Sequence, residues 1–505
     1  MPIATLNMVR LDRRQKVALQ SQLCRQIREL IISGQLRAGV RLPSTRDLVS
    51  QLGVSRNTIV YALDQLVAEG YLRTRIGSGI YVEDLPRRDD KSHPQSATRS
   101  DGLGTRFETR MAPLSELSIS PQYSTNKIRP FRPCQPASDH FPIRNWNRAR
   151  SYALKQQAKE LFTEGDAAGL LRLRTALATY LRESRGVRCT ADQIIVTTGS
   201  QQALSLIADC FLRRGDPVWI EDPGYLGARA AFIRAGADLV PISVDQEGLR
   251  IPTKARTKRP LLIYTTPSRQ FPLGVTMSLS RRIALLEFAR NAAAWVIEDD
   301  YDSEFRYVDR PLPALQGLAE ECVIYVGTFS KVLFQSLRLG YLVVPDALIE
   351  VFRKAKEVHD GSTTSLDQAT AAVFIEEGFF STHVRRMRKL YRERRDNFLY
   401  EAGKNLSGLI TFPKVEAGMD VVGTLPPNYS DQEVSQLLAS HQIAVPAVST
   451  YSLKSSASGL VFGFSAFSAA QTRSSIRAIA QLLGAGINLR APAVITSVKE
   501  KTSRE

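Results

Sequence analysis

Cysteine is scarce, and what there is does not suit a structural role. Cys24, Cys134, Cys189, Cys210 and Cys322 are odd in number, widely spaced and never in a C-x-x-C pattern. This argues against a zinc site, against any other metal centre of that kind and against a disulfide framework, and it fits a reducing cytoplasm. No apolar run approaches the roughly 18 residues of a membrane span. Residues 1–14 hold no apolar stretch of the signal-peptide kind. Internal repeats are absent as well.

What is present is ordinary globular material. The 505 residues are 43% hydrophobic and 23% charged, enough to bury a sizeable core in two to four domains. The net charge of +17 favours an anionic partner, with nucleic acid the first candidate. Residues 1–84 hold twelve Lys or Arg against seven Asp or Glu. The excess is therefore spread along the chain.

Composition divides the chain into 1–84, 85–130, 131–489 and 490–505. The second stretch, with "LPRRDDKSHPQSATRSDG", is rich in Pro, Ser, Arg and Asp, lacks periodicity and reads as a linker. The last reads as a frayed tail. In 131–489, five short runs are almost wholly apolar: 193–198, 217–221, 261–266, 294–299 and 322–328. Helical patterns such as "QALSLIADCFLRRG" and "SRRIALLEFARNA" lie between them. Strands alternating with helices predict an α/β region with a mostly parallel sheet buried on both faces. Sites in such sheets form at the carboxyl ends of strands.

The first 84 residues predict a DNA reader. Leu19, Leu23, Ile27, Leu30 and Ile31 share one helical face, and Gly34 can end that helix. A short helix over 45–51, a turn at Gly53 and a second helix capped by Ser55 and reaching Glu69 make a helix-turn-helix. "YLRTRIGSGIYV" adds two strands around Gly77 as a wing. The second helix would enter the major groove with Ser55, Arg56, Asn57 and Thr58, since Arg and Asn suit guanine and adenine edges. Arg46, Arg73 and Arg75 can reach phosphates. The stretch 42–72 with "GSGIYV" resembles the winged helix of GntR regulators.

In the third region, "GTFSK" ends a strand with Thr328, Ser330 and Lys331. "TTGSQQAL" ends another, where Gly199, Ser200 and Gln201 open a helix whose positive end suits a phosphate. Arg338 offers a bidentate fork to the same group. Asp299 and Tyr301 follow a third strand. Together these describe a pyridoxal phosphate site. Lys331 forms the Schiff base, Asp299 keeps the pyridine nitrogen protonated, Tyr301 meets the ring oxygen and Tyr225 stacks on the ring.

"DPGYLG", "TPSRQFPLG", "IEDDYDSEFRY" and "GTFSKVLFQSLRLGY" resemble the MocR/GabR-type regulators, in which a GntR-like winged helix precedes a fold-type I aminotransferase-like domain. That resemblance implies a large domain with a mostly parallel sheet plus a smaller α+β domain. It also implies a homodimer, possibly domain-swapped, and an effector that is pyridoxal phosphate, an amine or an amino acid. The alternative is a working aminotransferase with an ancillary DNA-binding domain.

The chain departs from the pattern at several places. Arg269 and Asp420 stand where a histidine is more usual in such regulators, and Phe271 stands where aminotransferases commonly place an asparagine. The stretch 455–467, where aminotransferases carry a carboxylate-clamping arginine, has none. Arg269 either supplies a substitute cation for an effector or faces solvent. The basic run 381–398 is expected to be a solvated helix of the smaller domain, with DNA contact as the other reading.

Overall fold

The computed structural model describes Leu6, residues 8–75, 77–84, Leu114, Leu117, 129–252, 257–308 and 313–484. Nearly all of the expected linker and the whole expected tail lie outside the described residues. The chain forms two units, Met1–Arg106 and Phe107–Glu505.

The first unit contains α1 (Leu19–Ile32), α2 (Thr45–Leu52), α3 (Arg56–Ala68) and the antiparallel strands β1 (Leu72–Arg75) and β2 (Gly79–Val82). Leu23, Ile27 and Ile31 of α1 are buried with Leu48, Ile59, Leu63 and Leu66, while Leu19 and Leu30 pack at the margin. Both ends of α2 have a local cause. Ser44 caps α2 through a reciprocal capping box with Asp47. Gly53 ends α2 at φ 62°, a left-handed conformation that glycine adopts without strain.

The second unit is built on an eight-stranded sheet. Its strands are β3 (Ile194–Thr197), β4 (Pro217–Asp222), β5 (Asp238–Asp245), β6 (Gly248–Leu249), β7 (Leu262–Thr265), β8 (Trp295–Asp300), β9 (Val323–Thr328) and β10 (Gly340–Val343). Their order is β3-β10-β9-β8-β7-β4-β5-β6. β4, β5, β7, β8 and β9 run parallel, and β10 runs antiparallel to both β3 and β9.

Alternate residues of each strand face opposite cores. Val218 and Ile220 join Leu204, Phe232 and Ile297 on one side, while Trp219 joins Leu285, Leu286 and Val296 on the other. This two-sided burial is why the strands read as continuous apolar runs.

A second, two-stranded sheet pairs β11 (Asp420–Gly423) with β12 (Leu460–Gly463) in antiparallel register. The basic run 381–398 lies within the helix Phe379–Asn405, whose Phe380, Val384, Met387, Tyr391 and Phe398 are buried. Several of its arginines bind backbone carbonyls: Arg388 that of Glu304 at 2.9 Å, Arg392 that of Tyr307 at 2.9 Å and Arg395 that of Val415 at 2.8 Å. The helix is thus part of the core, with a charged outer face.

Candidate functional site

In the winged helix, Ser55 caps α3, its Oγ accepting from Thr58 N at 3.2 Å and lying 2.8 Å from Thr58 Oγ1. Its hydroxyl therefore has a structural partner already. Arg46, Arg56 and Asn57 are exposed, and Thr58 is half-buried behind them. On the wing, Arg75 is exposed and lies over the Tyr81 ring at 5.1 Å. Arg73 is half-buried with Glu83 3.7 Å away, which leaves it less available than Arg75. Gly77 turns the wing at φ 74°. Tyr61, on the outer face of α3 and 62% exposed, was not singled out in the sequence, where an aromatic at helical spacing reads as core.

The second site lies at one edge of the large sheet. Gly199 follows β3, Tyr225 follows β4, and Lys331 follows β9. Arg338 precedes β10, and because β10 is reversed, its first residue Gly340 pairs with both Thr197 and Thr328. The reversal returns Arg338 to the edge that holds Gly199. Gly199, at φ 115°, opens the helix Ser200–Phe211, and a Cβ there would come within 3.8 Å of the Arg338 guanidinium. Helix end and guanidinium together make an anion cradle that a side chain would fill. Ser200 is half-buried at this helix start. Gln201 instead donates to Gly227 O at 3.0 Å, and Thr328 accepts from Ser330 N at 3.2 Å.

Asp299 and Asp300 are neighbours in β8, so they face opposite sides of the sheet. Asp300 binds Arg185 at 2.8 Å and Tyr325 at 2.6 Å. Asp299 accepts from Tyr264 Oη at 2.7 Å. Burial pushes Asp299 up to about 7; the Tyr264 hydrogen bond and Lys331 pull the other way, while Asp300 and Glu221 add to the rise. A buried carboxylate of that kind fits a cationic ring nitrogen.

Lys331 Nζ donates to Cys134 O at 3.3 Å. Cys134 in turn directs its N–H and thiol at Asp420 Oδ2, each at 3.2 Å. Burial and Asp420 hold the Cys134 thiol protonated, raising it well above the usual range. Neither Cys134 nor Tyr264 was picked out in the sequence. Tyr264 carried a faint signal as the polar-tipped member of an apolar strand; Cys134 carried none.

Arg269 does not face solvent. It is 4% exposed, and its Nη1 donates to Tyr301 Oη at 3.1 Å, Asp302 Oδ2 at 3.3 Å and Asp420 Oδ1 at 3.0 Å. Its Nη2 donates to Asp420 O. Two carboxylates facing one cation are costly to ionise together. Asp302 is raised to about 8, chiefly by burial and against the pull of Arg269.

The loop carrying Arg269 is fixed by buried Glu221, which accepts from Thr265 Oγ1 at 2.6 Å, Thr266 Oγ1 at 2.6 Å and Gln270 Nε2 at 3.2 Å. Phe271 packs edge-on against Tyr225 at 6.1 Å, Tyr301 at 6.1 Å and Tyr451 at 5.1 Å. Tyr225 and Tyr301 thus both border Phe271. Asp222 draws in the segment beside Tyr451, accepting from Leu453 N at 2.7 Å, Lys454 N at 2.7 Å and Ser455 N at 2.8 Å.

Among the described residues, no helix is long and apolar enough to cross a membrane, and no group of three or more His, Cys, Asp or Glu is placed to hold a metal ion.

Residues 19–82 match the family described as bacterial regulatory proteins, gntR family, and residues 134–477 match aminotransferase class I and II. The chain is 40% identical over 418 residues to the probable rhizopine catabolism regulatory protein MocR of Rhizobium meliloti, covering 82% of this chain and 83% of that protein. It is 32% identical over 461 residues to the HTH-type pyridoxine biosynthesis transcriptional regulator PdxR of Corynebacterium glutamicum, covering 90% and 94%. A crystal structure of a multiple substrate aminotransferase from Thermococcus profundus superposes with a TM-score of 0.66 at 28% identity, covering 72% of this chain and 92% of that one. A winged helix of the GntR type, an α/β unit of the aminotransferase fold and relatives matched through both together place this chain in the MocR-type subfamily of GntR transcriptional regulators.

Proposed function

We propose that the chain binds operator DNA through its winged helix and holds pyridoxal 5'-phosphate with Lys331, and that an effector at the second site sets DNA affinity. The observation that carries this reading is the meeting of Lys331, the buried Asp299 and the Gly199–Arg338 cradle at one sheet edge.

When bound, pyridoxal phosphate supplies an aldehyde that reacts with primary amines and a ring that withdraws electrons. The residues of this chain would divide the remaining work. Lys331 offers its Nζ to the aldehyde. Gly199, Ser200 and Arg338 hold the phosphate, with Thr328, Ser330 and Gln201 shaping the loops around it. Asp299 takes up the positive charge of a protonated ring nitrogen, and Tyr264 keeps that carboxylate aimed. Tyr301 meets the ring oxygen and Tyr225 covers the ring face. Arg56, Asn57 and Thr58 read base edges, while Arg46, Arg75 and, less readily, Arg73 contact phosphates on either side.

The effector must bind the DNA-competent and incompetent states with different affinity, otherwise it shifts nothing. A homodimer with two half-sites spaced by about 34 Å or its multiples fits this kind of reader. Steady turnover as an aminotransferase is disfavoured by the lack of arginine in 455–467.

Purified protein reconstituted with pyridoxal phosphate should retain the cofactor through gel filtration and bind promoter DNA. Lys331→Ala should release the cofactor and change operator affinity. Unchanged retention and unchanged affinity would reject the reading.

A further inference from the structure

Four features of the residues around Lys331 bear on what can bind there. The guanidinium that bonds Tyr301 is already neutralised: Arg269 is 4% exposed and bonded to both Asp302 and Asp420. A ligand carboxylate would have to displace one of these from a buried pair. Asp420 also stands close to the lysine, joined to it through Cys134, whose N–H and thiol meet Asp420 Oδ2 at 3.2 Å and whose carbonyl meets Lys331 Nζ at 3.3 Å. With Asp420 bonded to Arg269, no net positive charge stands there to attract an arriving anion.

The third feature is that 455–467 hold no arginine and that Gly463 has no room for a side chain. Gly463 is the cross-strand partner of Asp420, and a Cβ on it would lie 2.2 Å from Arg132 O. Fourth, Phe271 and its three tyrosine neighbours give the pocket an aromatic wall, which suits hydrocarbon and ammonium groups alike.

We infer that the effector accepted beside Lys331 is a primary amine that carries no carboxylate. The inference rests on the cofactor reading above and narrows it to a chemical class.

The test uses the full chain reconstituted with pyridoxal phosphate and two matched pairs of probes: phenethylamine against phenylalanine, and butylamine against 4-aminobutyrate. Bound-cofactor absorbance and the thermal midpoint are followed during titration. In each pair the amine should bind at least tenfold more tightly. Asp420→Asn, which returns part of the Arg269 charge to the pocket, should strengthen binding of the carboxylate member at least fivefold. The amine should change less than threefold. If the carboxylate members bind as tightly as the amines, or neither kind binds, the inference falls while retained cofactor absorbance leaves the wider reading intact. A protein with no cofactor absorbance at all would overturn that wider reading and the inference with it. Should Asp420→Asn fail to fold, the wild-type comparison alone decides.

Discussion

Arg269 and Asp420 are 151 positions apart in the chain and meet at 3.0 Å in a fully buried ion pair. Arg269 is a buried cation and Asp420 supplies the anion it needs. Either alone would strand a charge in a low-dielectric interior.

Arg269→Ala should therefore destabilise the second unit by about 3–5 kcal/mol, the usual consequence of removing one partner of a buried ion pair. Arg269→Met combined with Asp420→Leu should recover most of that loss, because an apolar pair of similar volume is often neutral or better. Urea unfolding of Arg269→Met, Asp420→Leu and the double variant measures the coupling. A single-variant loss under about 1 kcal/mol would mean that water reaches the pair.

Asp299 sets a pH dependence. Its folded value of about 7 lies above the ordinary 3.8, so the folded state holds the proton more tightly than the unfolded one. As pH rises through 3.8 the unfolded state gains by ionising first, and stability falls until about 7 is passed. The slope contributed by one such group is about 1.4 kcal/mol per pH unit. In the cofactor-free protein, Asp299→Asn should flatten the fall in unfolding free energy across this window. A profile unchanged by Asp299→Asn would place the proton elsewhere, with Asp302 the next candidate.

Arg56→Ala and Asn57→Ala should each cost about 1–3 kcal/mol at one operator base pair and relax specificity there. Arg46→Ala and Arg75→Ala should weaken all sequences alike and reduce the salt slope by about 1. Fluorescence anisotropy with operator and scrambled duplexes at several salt concentrations separates the two behaviours.

Ser55 has a structural partner, which separates it from its neighbours. Ser55→Ala should lower the stability of the first unit by about 1 kcal/mol through the lost cap, and Ser55→Asn should restore it. DNA affinity, corrected for the folded fraction, should move little. A large affinity loss in Ser55→Asn with stability restored would give the hydroxyl a direct role at the DNA.

Much of the architecture was legible because it is local. All five expected strands lie within one residue of those observed, since runs such as "AWVIED" must bury both faces. Helix ends followed from Gly53 and Ser55, whereas the Ser44 cap was not foreseen. The strands β5 and β10 were not foreseen: β5 is only partly buried over most of its length, and β10 is four residues long. The places of Lys331, Asp299 and Gly199 in the fold were readable because each lies within three residues of the end of an apolar strand. Tyr264 was hidden within one.

By itself, then, the sequence determined the order of the two units and the strand–helix alternation, because periodicity and turn chemistry act over a few residues. Tertiary structure alone decided what surrounds Lys331. Cys134 reaches Lys331 across 197 positions, a reversed strand carries Arg338 back beside Gly199, and Arg269 is enclosed by two carboxylates rather than open to water. Such contacts depend on how distant segments pack, and no local pattern encodes them.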